Sequence, residues 1–279
     1  MSESIGQSNP YLSEWDPQEY LRQYYSTPYL PDDSQAVLRF LIEQLSRGAP
    51  PRRRAIDFGC GPTLYSAISI APHAQELHLA DYLPANLREA QRWLDDEPEA
   101  HDWDVYFRGV LELEIGNAPT PEQVAARKAE LRRKAPALRE ADVRRLHPLG
   151  QPQTYDLVVS FHCIEAVSSD RKEWETFLGH LSGLVAPGGM MVLASLRRCN
   201  GYEVLGRMFP ATYVDENDFA RALPQLGFSK EGMVIRAAPI AEWVKEGYEE
   251  RERPGLRSRG RLIQPQVAHA PRTASAAVT

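Results

Sequence analysis

The sequence predicts an α/β fold built on a doubly wound, mostly parallel sheet, and three observations lead to this prediction. Short apolar segments alternate with amphipathic helical segments between residues 54 and 200, which is typical of a parallel sheet covered on both faces. A glycine-containing turn, Gly59-Cys60-Gly61-Pro62, directly follows the first apolar segment and precedes a helix. The second apolar segment ends on an acidic residue, Asp81.

Two helices are predicted ahead of the sheet. Asp16 followed by Pro17 is typical of a helix start, because an acidic cap precedes proline at the first helical position. A second helix begins near Asp32 and carries an apolar stripe on one face. That stripe consists of Val37, Leu38, Leu41, Ile42 and Leu45. We therefore assign residues 14–50 to an N-terminal helical cap and residues 1–13 to a flexible N-terminus.

The remaining chain predicts the strands and helices of one domain over residues 14–270. The predicted strands cover residues 54–58, 76–80, 156–161, 190–196, 233–236 and 262–268. The predicted helices cover residues 65–70, 86–95, 119–145, 172–185 and 241–250. Residues 253–261 are arginine-rich and predicted to be a loop, and residues 271–279 are predicted to be a disordered tail.

Composition limits the classes of partner. The chain has 279 residues and a formal net charge of −6, whereas a protein that binds mainly nucleic acid needs a basic surface. Cys60, Cys163 and Cys199 show neither metal-ligand spacing nor a disulfide framework, so we predict reduced thiols and no metal. No apolar run approaches the ~18 residues of a membrane helix, and the N-terminus lacks a signal core. We predict a cytoplasmic monomer or weak homo-oligomer without nucleic-acid or membrane partners.

The glycine turn predicts a binding site for a nucleotide-like ligand. Glycines let the backbone approach a ligand closely, and the following helix N-terminus favours a negative group. Asp81 ends the next strand 20 residues after Gly61, where an acidic residue accepts hydrogen bonds from ribose hydroxyls. A dinucleotide fingerprint would carry a third glycine, but Gly61 is followed by Pro62, Thr63 and Leu64. A cofactor without phosphates is therefore favoured.

Several segments resemble one family, the class I small-molecule methyltransferases that include nicotinamide, phenylethanolamine, indolethylamine and thioether methyltransferases. The matching segments run from about Trp15 to Gly227, and the Gly-x-Gly-Pro-Thr form of the turn is fairly specific to this family. The resemblance implies S-adenosylmethionine as the cofactor and a seven-stranded Rossmann-like methyltransferase sheet with an N-terminal helical lid. The cofactor-binding residues that it implies are Tyr20, Tyr25, Gly59, Gly61, Thr63, Tyr65, Asp81, Tyr82, Asn86, Asp142 and Val143.

The segment Ser-Phe-His-Cys-Ile-Glu-Ala-Val at residues 160–167 resembles the phenylethanolamine branch, in which the glutamate faces the substrate amine. The resemblance therefore implies Glu165 as the catalytic residue, which also binds substrate together with Tyr24 and Tyr202. His162 is a second candidate base, because histidine titrates near neutral pH. Alternation along the strand predicts that His162 points away from the pocket of Glu165.

Residues 194–202 depart from the family pattern. Several family members place a carboxylate just after the strand that ends near Leu196, and this chain has none there. It carries Arg197 and Arg198 instead, and Arg198 is our candidate for a bidentate clamp on a substrate anion. The alternative is that both are surface arginines at a strand end.

These observations predict an S-adenosylmethionine-dependent N-methyltransferase of a small-molecule amine. Our hypothesis for the acceptor includes a specialised metabolite that bears an anionic or guanidine group. Two alternatives remain open, a small-molecule S-methyltransferase with the same fold and a non-catalytic S-adenosylmethionine-binding protein. A nucleic-acid amino-methyltransferase is disfavoured, because Ser160-Phe161-His162-Cys163 replaces the Asn/Asp-Pro-Pro-aromatic motif typical of that class.

Overall fold

The computed structural model describes residues 10–47, 52–135, 137–204, 206–238 and 262–269, the last range by its backbone alone. The helices are α1 Pro10–Ser13, α2 Pro17–Tyr24, α3 Asp32–Leu45, α4 Tyr65–Ile70, α5 Pro84–Leu94, α6 Asp104–Ile115, α7 Pro121–Lys134, α8 Arg171–Ser182 and α9 Glu216–Gln225. The strands are β1 Arg52–Phe58, β2 Ala74–Asp81, β3 Ala137–Glu140, β4 Tyr155–Phe161, β5 Val185–Leu196, β6 Gly201–Val204, β7 Arg207–Pro210, β8 Val234–Ala238 and β9 Leu262–His269. Short 3-10 turns cover Ala71–His73 and Ile164–Ala166.

The main sheet has the strand order β3-β2-β1-β4-β5-β9-β8. The first five strands run parallel, and β9 pairs antiparallel with both β5 and β8. The predicted α/β class with a mostly parallel sheet is confirmed. The strand order reverses direction between β1 and β4, and in open α/β sheets a ligand binds outside the carboxyl ends of the strands at such a reversal.

Helices cover both faces of the sheet because the strand side chains alternate between two apolar clusters. Ala55 of β1 belongs to the cluster that α3, α4, α5 and α6 complete, whereas Ile56 and Phe58 belong to the cluster under α8 and α9. Trp103 and Trp174, one in each cluster, are fully enclosed. The carboxyl ends of β1, β2 and β4 are thereby fixed side by side.

The N-terminal cap begins earlier than the sequence predicts. The Asp16 carboxylate accepts hydrogen bonds from the amides of Gln18 and Glu19, which confirms the predicted helix start. Residues 10–13, which the sequence predicts to lie in the N-terminus ahead of the cap, form the helical turn α1. Its Tyr11 side chain is held by contacts far away in the sequence, and periodicity does not reveal such contacts.

Further differences concern local structure. The charged helix predicted over residues 119–145 ends at Lys134, and a four-residue strand, β3, follows at the sheet edge. Hydrophobic periodicity does not predict β3, because the strand is too short and too exposed to show an alternating pattern. The hairpin β6–β7 and the helices α6 and α9 were also not predicted. The predicted helix at 241–250, the arginine-rich loop and the tail at 271–279 lie outside the described residues.

No helix in the described part of the chain combines the length and apolar character needed to cross a bilayer.

Candidate active site

A cavity of about 770 Å³ opens at the carboxyl ends of β1, β2 and β4. Its volume lies within the ~300–1,000 Å³ of pockets that hold small molecules and cofactors. The cap helices α1 and α2 and the residue Pro210 of the β6–β7 hairpin close one side. The cavity therefore occupies the position that the reversal of strand order predicts for a ligand.

The glycine turn forms the floor beside β1. Gly59 and Gly61 adopt φ angles of 70° and 60°, a left-handed conformation that other residues rarely adopt. A Cβ on Gly59 would lie 2.2 Å from Sγ of Cys163, so any side chain is excluded there by contact as well as by conformation. The Thr63 hydroxyl donates to the Cys60 carbonyl at 2.7 Å and closes the turn.

Asp81 holds the turn against β2. One carboxylate oxygen accepts from the Gly61 amide at 2.8 Å, and the other accepts from the Leu83 amide at 2.8 Å and from Nδ2 of Asn86 at 2.9 Å. Burial raises the pKa of the Asp81 carboxyl, although these hydrogen bonds act in the opposite direction. Oδ1 of Asn86 accepts from the indole N–H of Trp15 at 2.8 Å. The N-terminal cap is thus tied directly to the acidic end of β2.

Asp57, near the end of β1, is a second buried carboxyl at the cavity. The hydroxyl of Ser66 donates a short hydrogen bond to it. Burial raises the pKa of Asp57 to about 7, against the lowering effect of that hydrogen bond. Asp57 therefore titrates near neutral pH.

Tyr82, Asp142, Val143 and Arg144 form the far end of the cavity. The Arg144 guanidinium lies 4.6 Å from the centre of the Tyr82 ring and donates two hydrogen bonds to Asp142, at 2.8 and 2.9 Å. Burial acts to raise the pKa of Asp142, but the bonds from Arg144 outweigh it and hold the pKa below its usual value. Arg144 was not predicted, and nothing in its sequence context singles it out.

The opposite side of the cavity carries an aromatic wall, which we define as Tyr11, Trp15, Tyr20 and Tyr202. The Tyr11 hydroxyl donates to the Ala166 carbonyl at 2.7 Å and lies 2.7 Å from the Tyr202 hydroxyl. Ring centroids of Trp15 and Tyr20 are 4.7 Å apart. Burial raises the pKa of Tyr20 to about 12, so its hydroxyl stays protonated at neutral pH. The wall is therefore uncharged at neutral pH.

Glu165 and His162 stand next to this wall. The Glu165 side chain is completely buried, and its Oε1 accepts from the Leu196 amide at 3.0 Å. His162 lines the cavity, and its Nδ1 lies 3.7 Å from Oε1 of Glu165. The prediction that His162 points away from Glu165 is wrong. His162 lies one residue beyond β4 with a φ of 53°, so strand alternation no longer sets its direction.

The structure brings all the predicted cofactor-binding residues to one cavity, together with Tyr202. The other three predicted substrate-binding residues are not among the described residues that line it. Glu165 lies behind His162, and the Tyr24 hydroxyl donates to the Glu203 carbonyl at 2.5 Å. Arg198 forms hydrogen bonds to Asp215 at 3.1 and 3.3 Å. Sequence reasoning missed Tyr11 and Trp15, although Trp15 stands next to the recognisable Asp16-Pro17 helix start.

The fold and the cavity together define a class I α/β methyltransferase. A glycine turn that opens a helix, an acidic residue that ends the neighbouring strand and a lid of tyrosines fit S-adenosylmethionine, whose ribose and methionyl groups need such partners. Asp81 is buried and lines the cavity at the end of β2, the position at which an acidic residue accepts hydrogen bonds from ribose hydroxyls.

The chain belongs to the NNMT/PNMT/TEMT family, whose model matches residues 3–246. Indolethylamine N-methyltransferase of Mus musculus is 32% identical over 223 residues, which cover 78% of this chain and 83% of that protein. Nicotinamide N-methyltransferase of Sus scrofa is 29% identical over 237 residues, which cover 83% and 88%. The chain is thus an S-adenosylmethionine-dependent methyltransferase.

A solved structure agrees at the level of the fold. The DhpI-SAM-HEP complex superposes with a TM-score of 0.55 at 14% sequence identity, over 97% of this chain and 100% of that chain.

Proposed function

We propose that the protein transfers a methyl group from S-adenosylmethionine to the nitrogen of a small-molecule amine. One observation carries the proposal: Asp81 and the uncharged aromatic wall line the same cavity. The names of its relatives, both N-methyltransferases, support the nitrogen as the acceptor atom. We further propose that the protein is cytoplasmic, since its three cysteines are free thiols.

The cofactor end is assigned by position. We propose that Asp81 and Asn86 bind the ribose, that the turn at Gly59 and Gly61 approaches the methionyl group, and that Tyr82 packs on the adenine. The remaining members of this set are Tyr20, Tyr25, Thr63, Tyr65, Asp142 and Val143. When bound, S-adenosylmethionine supplies a methyl group on a positively charged sulfur.

The other residues of the aromatic wall, Tyr11, Trp15 and Tyr202, are assigned to the acceptor. Aromatic faces attract a cation within about 6 Å of the ring centre, so these three rings suit an amine that carries positive charge after methylation. They also exclude water and hold the acceptor in line, and positioning of this kind contributes ~7–11 kcal/mol to well-aligned reactions. We do not extend the proposal to an anionic acceptor, because Arg198 is engaged with Asp215 away from the cavity.

The test is methyl transfer from radiolabelled S-adenosylmethionine to a panel of three acceptors. The three acceptors are an aliphatic amine (2-phenylethylamine), a pyridine derivative (nicotinamide) and a thioether (dimethyl sulfide). Labelled N-methyl product from one of the nitrogen acceptors supports the proposal. Label on the sulfide alone contradicts it and identifies an S-methyltransferase.

Two variants control the panel. Asp81→Asn removes a carboxylate at the proposed ribose site, and we expect the affinity for S-adenosylhomocysteine in calorimetry to fall at least tenfold, as for loss of a charged hydrogen-bond acceptor. Asp95→Asn neutralises an exposed carboxylate at the end of α5, and we expect unchanged affinity. Equal affinities in the two variants would remove Asp81 from the cofactor site.

A further inference from the structure

Two polar groups beside the aromatic wall have no hydrogen-bond partner within the described part of the chain. They are Nδ1 of His162 and Oε2 of Glu165, and both are buried. Nδ1 lies 3.7 Å from the other Glu165 oxygen, Oε1, which is beyond the 2.7–3.2 Å typical of a hydrogen bond. Buried polar groups are nearly always paired in folded proteins, so an unpaired donor and acceptor side by side require an explanation.

The backbone around His162 is specialised. Its φ of 53° is left-handed, and non-glycine residues in that region concentrate at functional sites. The His162 amide donates to the Ala194 carbonyl at 2.8 Å, which anchors the conformation on β5. This conformation keeps 29% of the side chain accessible at the cavity while Nδ1 stays buried against Glu165. The accessible edge of the ring is therefore the edge that carries Nε2.

Glu165 is poorly placed to meet an acceptor itself. Its side chain is 0% exposed, and the Leu196 amide already occupies one carboxylate oxygen. The cavity reaches its neighbours His162, Cys163 and Ala166, but not the carboxylate. Burial raises the pKa of Cys163 well above its usual range, so this thiol stays protonated and does not compete as a base. An acceptor that enters the cavity meets His162 first.

We propose that His162 is the catalytic base of the methyl transfer and that Glu165 is its positioning residue. This inference rests on the proposed N-methylation of an amine. An aliphatic amine arrives as an ammonium ion, which has no lone pair for attack. Its N–H bond breaks, the electron pair stays on the amine nitrogen, and the proton bonds to Nε2 of His162. As His162 gains charge, Nδ1–H closes the 3.7 Å separation to the Glu165 carboxylate and donates a hydrogen bond to it, which stabilises the imidazolium. The imidazolium then releases the proton from Nε2 to water.

The kinetic test compares two acceptors that differ in their need for a base. The nitrogen of 2-phenylethylamine is protonated at neutral pH, whereas the ring nitrogen of nicotinamide has a free lone pair. We expect His162→Gln to lower kcat at least 100-fold with 2-phenylethylamine and less than threefold with nicotinamide. We expect Glu165→Gln to lower kcat in the same selective way while KM is retained. His147→Gln, at an exposed histidine, is the matched control.

Equal losses with both acceptors, or no loss with 2-phenylethylamine, would overturn the proposal. A second measurement does not depend on turnover. ¹⁵N NMR of the imidazole groups in the S-adenosylhomocysteine complex reports which ring nitrogen carries the proton, and the His162 signal is assigned by its loss in His162→Gln. We expect hydrogen on Nδ1 and a bare Nε2 in the wild type, and a shift toward the opposite tautomer in Glu165→Leu, which removes both acceptor oxygens.

A wild-type tautomer with hydrogen on Nε2 would refute the inference whatever the kinetics show. If the wild-type protein methylates neither nitrogen acceptor, the proposed function is contradicted instead. The NMR measurement still decides whether His162 is paired with Glu165.

Discussion

The hydroxyl groups of Tyr11 and Tyr202 lie 2.7 Å apart, although the residues are 191 positions apart in the chain. A hydroxyl has one proton, so when Tyr11 donates to the Ala166 carbonyl, Tyr202 donates to Tyr11. This chain of bonds joins α1, the β6–β7 hairpin and the turn after β4 over one end of the cavity.

Removal of one hydroxyl tests the importance of that chain. We expect Tyr11→Phe to raise KM for the methyl acceptor about 3- to 10-fold, because a net hydrogen bond contributes about 0.5–1.5 kcal/mol. The affinity for S-adenosylhomocysteine in calorimetry should stay within twofold of the wild type. Tyr29→Phe removes the hydroxyl of an exposed tyrosine and serves as the control. A weaker cofactor affinity with unchanged KM would place Tyr11 at the other ligand.

Gly59 and Gly116 form a natural pair for a test of crowding at the turn. Both have left-handed φ angles, 70° and 78°, but a Cβ on Gly59 would meet Cys163 at 2.2 Å and one on Gly116 would meet nothing within 4 Å. We expect Gly116→Ala to lower the free energy of unfolding by about 1–2 kcal/mol, from conformation alone. Gly59→Ala should lower it by about 1–3 kcal/mol more, since overpacking adds to the strain. Urea unfolding measures both, and equal losses would contradict the contact.

Asp57 links stability to pH. Burial raises the pKa of Asp57 from its ordinary value of 3.8 to about 7 in the folded chain, so between these pH values the folded state binds more protons than the unfolded state. Stability contributed by Asp57 is therefore highest below pH 4 and is lost as the pH rises toward 7, by up to about 1.4 kcal/mol per unit. We expect the wild type to lose stability relative to Asp57→Asn from pH 5 to pH 8. Urea unfolding of both proteins at these two pH values measures the difference, and parallel curves would refute it.

Arg144 is expected to act on the cofactor alone. Arg144→Gln removes the cation over the Tyr82 ring, and we expect S-adenosylhomocysteine to bind about 2- to 5-fold more weakly, in line with ~0.5–1 kcal/mol for an accessible contact of this kind. Arg145→Gln is the matched control, since that side chain is 70% exposed and 3.6 Å from Asp142. Calorimetry compares the two, and kcat at saturating cofactor should be unchanged in both. A fall in kcat for Arg144→Gln would assign it to the chemistry instead.

The sequence predicts the parts of the fold that carry strong local signals. Gly59 and Gly61 follow a buried strand directly, and Asp81 ends the next strand, so both the turn and its acidic partner are recognisable without coordinates. The parallel sheet follows from the repetition of that pattern.

The parts that escaped prediction depend on contacts between distant segments. Tyr11 belongs to a single helical turn with no periodicity, and its partners lie more than 150 residues away. The four residues of β3 become a strand only because β2 offers a free edge. For Glu165 the resemblance indicates the residue but not the direction of its carboxylate, which lies in the 3-10 turn Ile164–Ala166 and is bound by the amide of the distant Leu196.

Asn86 connects the proposed cofactor site to the aromatic wall through a single amide. Its Nδ2 serves Asp81, and its Oδ1 serves Trp15, so the amide cannot turn toward one partner without disturbing the other. A change in the hydrogen bond between Asn86 and Asp81 therefore also changes the hydrogen bond between Asn86 and Trp15 of the aromatic wall. Such coupling is reciprocal, because an effect of one ligand on the affinity of the second requires an equal effect in return. We therefore expect the proposed cofactor and acceptor sites to be coupled through Asn86 without any movement of the sheet.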